Sequence, residues 1–208
     1  MGVAYIKNRS WVASYQSTGT LIIEESSRYS SGSQVLMQGF GLQSGFRNLD
    51  NQKSMLMSYD FISRIVDSMP SLKIDYYTRG RFIQRNKYGE NLINIKPDYI
   101  APNAYGILFK LQVKPDGTYV ITDENKLNLK IKGRLNEPIQ NNFFFATITP
   151  LVNLASEYNI YFSFRDRQSL IDDFMGRIDV NYVSDGASIL AVSLVSATPA
   201  RDIDFINK

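Results

Sequence analysis

The sequence predicts an α+β fold, in which a mixed, largely antiparallel β-sheet packs against a few helices and the chain ends in the start of a long C-terminal helix. Two observations lead to this fold class. Residues 46–69 carry apolar side chains at the 3.6-residue spacing of a helix, whereas most of the remaining chain consists of short stretches in which apolar and polar residues alternate. A helix with one apolar face beside many half-apolar strands packs against the sheet.

The helix predicted at 46–69 has one rough apolar lane. Its members are Leu49, Lys53, Leu56, Ser63, Val66 and Met69, with Phe46, Ile62 and Ile65 beside them. Asn48 is the expected N-cap, and Pro70 ends the helix because proline disfavours helical geometry at the residue before it. Residues 58–60 interrupt the lane, so the helix is expected to kink or restart there, with Ser58 or Asp60 as a second cap.

The predicted strands are short and rich in β-branched and aromatic residues. They cover 15–23, 72–84 with a break at Gly80, 109–113, 118–123, 126–132, 142–149, 159–165, 178–183 and 188–195. In 126–132 the side chains of Leu127, Leu129 and Ile131 are expected to face inward and the lysines outward. Residues 92–106 contain Pro97 and Pro102 and are expected to be irregular.

Two shorter helices follow in the prediction. One covers 166–176, with Leu170, Ile171, Phe174 and Met175 buried and Gly176 as its C-terminal cap. The other begins at Thr198 and Pro199, since threonine caps a helix and proline suits its first position. A helix this short is marginal by itself, because isolated helices need about 12–15 residues. We therefore expect the parent protein to continue beyond Lys208.

The composition excludes several kinds of chemistry. The 208 residues include no cysteine and no histidine, so a disulfide, a thiolate nucleophile and a histidine general base are all excluded. Asp172 and Asp173 are adjacent on a helix and point about 100° apart, which makes them a poor acid–base pair and favours a solvated helix face. The sequence therefore predicts no cofactor and no catalytic residue, although carboxylates distant in the chain could still meet as in a glycan hydrolase.

A basic segment interleaved with aromatic residues is the first candidate binding surface. Residues 73–88 contain Lys73, Arg79, Arg81, Arg85 and Lys87 against Asp75 alone, a net charge of +4. With Tyr88 and its neighbouring aromatic side chains, Arg79, Arg81 and Arg85 could contact a glycan or another polyanion. The alternative is an exposed strand with solvated charges. The net charge of the whole chain is only +3, which is too small to indicate a nucleic-acid partner.

Several stretches together resemble the periplasmic domain of the polysaccharide chain-length-determinant family, the Wzz-type polysaccharide co-polymerases. The resemblance is carried by residues 15–23, 48–58 (Asn-Leu-Asp-Asn-Gln-Lys-Ser-Met-Leu-Met-Ser), 61–69, 75–81, 88–90, 180–197 and 198–207, in that order. The long segment between these stretches is more similar to the large members that are fused to a cytoplasmic tyrosine autokinase of capsule or exopolysaccharide biosynthesis.

The resemblance implies a domain organisation and a location. Residues 1–14 would be a membrane-proximal lead-in, 15–198 a periplasmic α+β domain and 199–208 the start of a truncated long helix. The full-length protein would be anchored in the inner membrane by two flanking helices that lie outside this sequence. Residues for a kinase reaction are not carried over.

The resemblance also implies partners. These would be other copies of the chain in a ring, the polysaccharide polymerase and export machinery, and the growing polysaccharide, with no nucleic acid. Within the helix at 46–69, Met55, Met57, Tyr59 and Phe61 lie off the main apolar lane and are expected to mediate contacts between copies. The alternative function is a stand-alone carbohydrate- or polyanion-binding module that uses 73–88.

Overall fold

The computed structural model describes residues 13–22, 44–79, 84–124, 129–184 and 189–208, with the backbone alone described at 44–48, 79 and 84. Over these residues the chain forms four α-helices and twelve strands in three antiparallel sheets, which confirms the predicted α+β class. The elements are β1 (Tyr15–Ile22), α1 (Ser44–Leu56), α2 (Tyr59–Ser68), β2 (Ile74–Arg79), β3 (Gln84–Asn86), β4 (Ile93–Ile100), β5 (Phe109–Val113), β6 (Thr118–Asp123), β7 (Lys130–Arg134), β8 (Pro138–Gln140), β9 (Phe144–Pro150), β10 (Tyr158–Phe164), α3 (Arg167–Arg177), β11 (Ile178–Tyr182), β12 (Ile189–Ser196) and α4 (Pro199–Ile206). Two short 3₁₀ helices cover Pro70–Lys73 and Pro102–Ala104.

The chain divides into two compact units. The terminal unit consists of Tyr15–Ser68 and Ile171–Lys208, and the central unit consists of Met69–Leu170 together with Met1–Ser14. Residues 1–12 of the expected lead-in lie outside the described residues, and the domain bounds expected from the resemblance stay a prediction. In the described part of the chain, every helix is too short or too polar to cross a membrane.

The terminal unit is built on a three-stranded sheet in the order β1-β12-β11. β1 pairs with β12 over eight residues, from Tyr15 opposite Ser196 to Ile22 opposite Ile189. β12 is apolar on both faces, and it is the central strand, as the sequence predicts. Helix α4 begins at Pro199 as predicted and lies against β1, so closely that a Cβ atom on Gly19 would be 2.4 Å from Cγ2 of Ile206. Any side chain at this position would therefore require Ile206 to move.

Helices α1 and α2 replace the single helix predicted at 46–69. The interruption is confirmed: α1 ends at Leu56 and α2 begins at Tyr59, with Ser58 Oγ accepting a hydrogen bond from the Phe61 amide at 3.3 Å. The predicted cap at Asn48 is wrong, because α1 begins at Ser44 and Asn48 lies inside it. Helix α2 ends at Ser68, shortly before Pro70, because proline disfavours helical geometry at the residue before it.

The central unit is a sandwich of two antiparallel sheets. The large sheet has the strand order β3-β2-β10-β5-β6-β7, and the small sheet has the order β4-β9-β8. The core lies between them, where Phe109 stacks on Phe162 at 5.2 Å and meets Phe144 of the small sheet edge-on at 5.5 Å. The prediction that alternate residues of β5 and β10 face a core is confirmed, since Phe109, Leu111, Ile160, Phe162 and Phe164 are fully buried.

Three local predictions are wrong. Residues 93–100 form strand β4 rather than an irregular segment, because β4 is an edge strand whose pairing shifts between Pro97 and Tyr99, which tolerates a proline. Helix α3 continues through Gly176 to Arg177, so Gly176 is not its cap. Met175 is 38% exposed rather than buried, whereas Leu170, Ile171 and Phe174 are buried as predicted.

Candidate functional site

An apolar surface lies at the junction of α1 and α2 in the terminal unit. Met55 is 56% exposed, Met57 is 37% exposed and Tyr59 is 44% exposed. We call these three side chains the junction patch. Phe61, which the sequence places with them, is only half-buried. The same helices bury Leu49, Ile62 and Val66, so the three residues of the junction patch lie outside the buried apolar face of the helix pair. Adjacent exposed apolar side chains of this size often mark an interaction surface.

The serine at the helix junction holds the two helices in a defined geometry. Ser58 Oγ donates a hydrogen bond to the Met55 carbonyl oxygen at 2.7 Å and accepts one from the Phe61 amide. The Ser58 amide also donates to the Met55 carbonyl at 3.1 Å, and the Ile62 amide donates to the Ser58 carbonyl at 3.1 Å. These bonds satisfy backbone groups that helix ends otherwise leave without a partner. Met57 and Tyr59 are thereby fixed on either side of Ser58.

The basic segment at 73–88 is only partly described. Arg81 and the side chain of Arg79 lie outside the described residues, so their contact with a glycan stays a prediction. Arg85 is exposed on β3, and Tyr88 is half-buried with its hydroxyl 3.1 Å from Ser71 Oγ. Lys87 forms an ion pair with Glu90 at 2.5 Å, and this hydrogen bond and charge hold the pKa of Glu90 below its ordinary value.

The one acidic residue of that segment is engaged in a buried polar cluster. Asp75 is 4% exposed, and its carboxylate accepts hydrogen bonds from Arg165 Nη1 at 3.2 Å, Asn86 Nδ2 at 3.1 Å and the Tyr77 hydroxyl at 3.2 Å. Burial and, next, the negative charge of Asp75 raise the pKa of Tyr77, so its hydroxyl stays protonated as a donor. Arg165 could not be linked to Asp75 from the sequence, because it lies 90 residues away and no local pattern connects the two residues.

A row of polar and aromatic side chains crosses the outer face of the large sheet. The registers of five successive strand pairs place its six members side by side on β3, β2, β10, β5, β6 and β7: Asn86, Tyr77, Tyr161, Lys110, Thr122 and Lys130. We call these six residues the outer row. Five of them are half-buried and Lys130 is exposed. Their neighbours along each strand, such as Tyr76 and Phe162, face the core.

Strand β7 adds further positive charge to this outer face. Lys130, Lys132 and Arg134 alternate with Ile131 and Gly133, and all three cations are exposed. The prediction that Ile131 faces inward and the lysines outward is confirmed for this part of the strand, while Leu127 lies outside the described residues. The period-2 pattern could reveal the lysines, but it could not show that they align with two tyrosines of other strands.

A polar cleft of about 370 Å³ opens at one end of the central unit. It lies where the β5–β6 turn, the β7–β8 turn and the chain after β9 meet. Both charge signs line it: Lys114 and Arg134 stand against Asp116 and Glu137. Arg134 thus belongs both to the cleft and to the outer face of β7.

A buried ionic network ties α3 to α4 in the terminal unit. Arg177 donates two hydrogen bonds to the Asp173 carboxylate, at 3.2 and 3.0 Å, and one to Asp202 at 3.1 Å. Burial by itself would lower the pKa of Arg177, but the bonds and charges of Asp173 and Asp202 raise it above its ordinary value. The expectation that Asp173 lies on a solvated helix face is wrong, because Arg177 and, at 3.6 Å, Arg201 lie against it.

In the part of the chain that the structure describes, three or more acidic side chains do not come together in an arrangement that could hold a metal ion. Asp173 and Asp202 share a partner instead, since both are ion-paired with Arg177.

The comparisons with known proteins give little guidance. No protein-family model matches this chain, and no curated protein matches it. Two crystal structures of FlgL from Xanthomonas campestris are weakly similar to it. One has 14% identity over 64% of this chain and 38% of that chain at a TM-score of 0.25, and the other has 13% identity over 66% and 42% at a TM-score of 0.23. The chain thus spans about two fifths of their length, and likenesses this weak carry no argument about function.

Proposed function

We propose that this chain is a non-catalytic periplasmic domain of an inner-membrane polysaccharide co-polymerase, which oligomerises and regulates the chain length and export of a capsular polysaccharide or exopolysaccharide. One observation carries the proposal. Strand β1, which resembles the opening strand of the family, pairs along its whole length with β12, which resembles the last strand. Helices α1, α2 and α4, which resemble family helices, belong to the same terminal unit.

The junction patch supports the oligomeric part of the proposal. Met55, Met57 and Tyr59 expose apolar surface on the helices that carry much of the resemblance. Burying such side chains between copies of the chain would remove apolar area from water, which stabilises an assembly by about 25 cal/mol per Å² of buried apolar surface. A ring of copies repeats the same interface, so a modest stabilisation at each interface is repeated around the whole assembly.

The test is the oligomeric state of the full-length protein that carries this domain. The double variant Met57→Asp/Tyr59→Asp places two charges in the patch, and we expect it to shift the chemically cross-linked assembly toward monomers and to alter the length distribution of the polysaccharide on a gel. Met175→Asp is the matched control, because Met175 is as exposed as Met57 but lies on α3. An unchanged assembly in the double variant would contradict the proposed role of the patch.

The second candidate function is a stand-alone module that binds a carbohydrate or another polyanion. The outer row of the large sheet favours it, since this surface combines cations with two paired tyrosines in the central unit. Such a module would bind its ligand without any assembly of copies.

A further inference from the structure

We propose that the outer row of the large sheet is a binding platform for an acidic polysaccharide, one whose sugar units carry carboxylate groups. The inference deepens the proposed function, on which it rests for the source of the glycan. The binding itself depends only on the central unit and not on assembly of copies.

The first argument is the shape of the platform. Neighbouring strands lie about 4.8 Å apart, so the five steps from Asn86 on β3 to Lys130 on β7 span about 24 Å. The row has one member on each of the six strands of the sheet, and every member lies on the outer face. An extended chain of several sugar units laid perpendicular to the strands would contact each of these side chains in turn.

The second argument is the tyrosine pair. Tyr77 and Tyr161 are directly opposite each other on β2 and β10. The Tyr77 hydroxyl donates a hydrogen bond to Asp75, two residues earlier on the same strand, which restricts the positions the ring can take. Sugar rings stack their C–H groups on aromatic faces, because these faces carry partial negative charge. Aromatic rings that are held before binding also lose less conformational freedom on binding.

The third argument is the cluster that holds Tyr77 in place. Asp75 is almost completely buried beside the row, and Arg165 and Asn86 donate to its carboxylate together with Tyr77. The charge of Asp75 is thereby compensated, so it does not repel an anionic ligand from the neighbouring positions. Asp75 is a positioning residue, since it acts on a ligand through Tyr77.

The fourth argument is charge complementarity. Lys110 is directly opposite Tyr161, so that a cation and a stacking surface occupy adjacent positions. Lys130 lies at the far end of the row, and Lys132 and Arg134 follow it on the same face of β7. Residues 69–170 contain 14 Lys and Arg against 9 Asp and Glu, a net charge of +5, whereas the rest of the chain has a net charge of −2. An anionic polymer is therefore attracted to the central unit.

The geometry favours an acidic glycan over a single-stranded nucleic acid. In a uronic-acid polymer the carboxylate and the apolar ring face belong to the same unit, which matches a lysine next to a tyrosine. Proteins that hold single-stranded nucleic acid use grooves that follow its backbone and platforms for successive bases. The outer row places Lys110 directly beside Tyr161, where one sugar unit could contact both side chains.

The experiment measures binding of oligogalacturonate, a polymer of carboxylate-bearing sugar units, to the 208-residue chain by titration calorimetry. We expect the double variant Lys110→Glu/Lys130→Glu to weaken binding by about tenfold or more, because each reversal replaces an attraction with a repulsion. Tyr161→Ala should weaken it severalfold through the loss of stacking, and added salt should weaken it further in the wild type.

The matched controls lie on β4 of the small sheet. Lys96 is exposed and Tyr99 is 60% exposed, so Lys96→Glu and Tyr99→Ala change the same residue types in the same unit but on another face. Both should bind like the wild type. Melting temperatures identify any variant that has lost its fold, and the charge variant keeps the test valid if Tyr161→Ala unfolds.

Three outcomes would overturn the inference: no binding of oligogalacturonate, equal losses in the row variants and the β4 controls, or tighter binding of an oligothymidylate than of the glycan. The failure of this inference can be distinguished from the failure of the proposed function. The variant Met57→Asp/Tyr59→Asp should leave glycan binding unchanged even where it disperses the oligomer. Loss of glycan binding in the row variants, with intact assembly of the full-length protein, supports the platform.

Discussion

Two buried tyrosines of the central unit, Tyr76 and Tyr119, differ in whether their hydroxyl groups are hydrogen-bonded. The Tyr76 hydroxyl accepts a hydrogen bond from the buried Ile95 amide at 2.9 Å, whereas the Tyr119 hydroxyl has no hydrogen-bond partner among the described residues. Each ring fills the core between the two sheets. Replacing each tyrosine by phenylalanine therefore removes a bonded hydroxyl at Tyr76 and an unbonded one at Tyr119, while both rings stay in place.

We predict that Tyr76→Phe destabilises the protein and that Tyr119→Phe does not. The first change leaves the Ile95 amide buried without an acceptor, which costs about 1–3 kcal/mol. The second removes a buried hydroxyl that makes no bond here, so its effect on the free energy of unfolding should be neutral or favourable. Urea denaturation of the two variants beside the wild type measures the difference. Equal destabilisation of both would contradict the role assigned to the Ile95 bond.

At the scale of elements, α4 is held by more than its own helical propensity. Phe205 stacks on Phe174 of α3 at 3.9 Å, and Asp202 accepts hydrogen bonds from Arg177 and, at 2.5 Å, from Ser196 Oγ. Thr198 lies at the cap position, but its side chain makes no capping bond. The eight-residue helix therefore depends on α3 and β12 for its place in the terminal unit.

We predict that Arg177→Met costs about 3 kcal/mol of stability, because it leaves the fully buried Asp202 without its compensating charge. Arg64→Met is the matched control: Arg64 pairs with Asp60 one turn away on α2, but their side chains are 77% and 73% exposed. Exposed pairs of this kind contribute at most about 1 kcal/mol. Chemical denaturation followed by circular dichroism tests both variants. A loss from Arg177→Met no larger than that from Arg64→Met would contradict the role assigned to the Arg177–Asp202 pair.

At the scale of the whole molecule, the titration of the buried tyrosines makes stability depend on alkaline pH. Burial raises the pKa of both Tyr76 and Tyr119 to about 12, from an ordinary value of 10.0. Between these pKa values the folded chain binds more protons than the unfolded chain. The stabilisation is therefore complete below about pH 10 and is lost as the pH rises toward about 12.

We predict that the free energy of unfolding falls over this pH range and that the fall is smaller in the double variant Tyr76→Phe/Tyr119→Phe. Phenylalanine does not titrate, so the variant lacks two of the groups that release protons on unfolding at high pH. Urea midpoints at several pH values above about 9 give the slope. The same slope in the variant and the wild type would mean that these two hydroxyls do not cause the alkaline loss.

Much of the local structure could be predicted from the sequence. The break between α1 and α2, the inward face of β10 and the start of α4 at Pro199 all follow from residues within a few positions of one another. Such features depend on side-chain periodicity and on the conformational limits of serine and proline. The position of β4 could not be predicted, because only an edge place in its sheet makes Pro97 acceptable in a strand.

The sequence by itself determined the α+β class and the absence of cysteine and histidine chemistry. It also set Met55, Met57, Tyr59 and Phe61 apart from the main apolar lane of the helix, and the first three of them are exposed. The tertiary structure alone decided that Asp75 meets Arg165, that Asp202 meets Arg177 and that Tyr77, Tyr161 and Lys110 stand in one row. The reason is physical: the register between distant strands sets the contacts in the sheet, and the packing of α3 against α4 sets the Arg177–Asp202 pair. Local propensity carries no information about either.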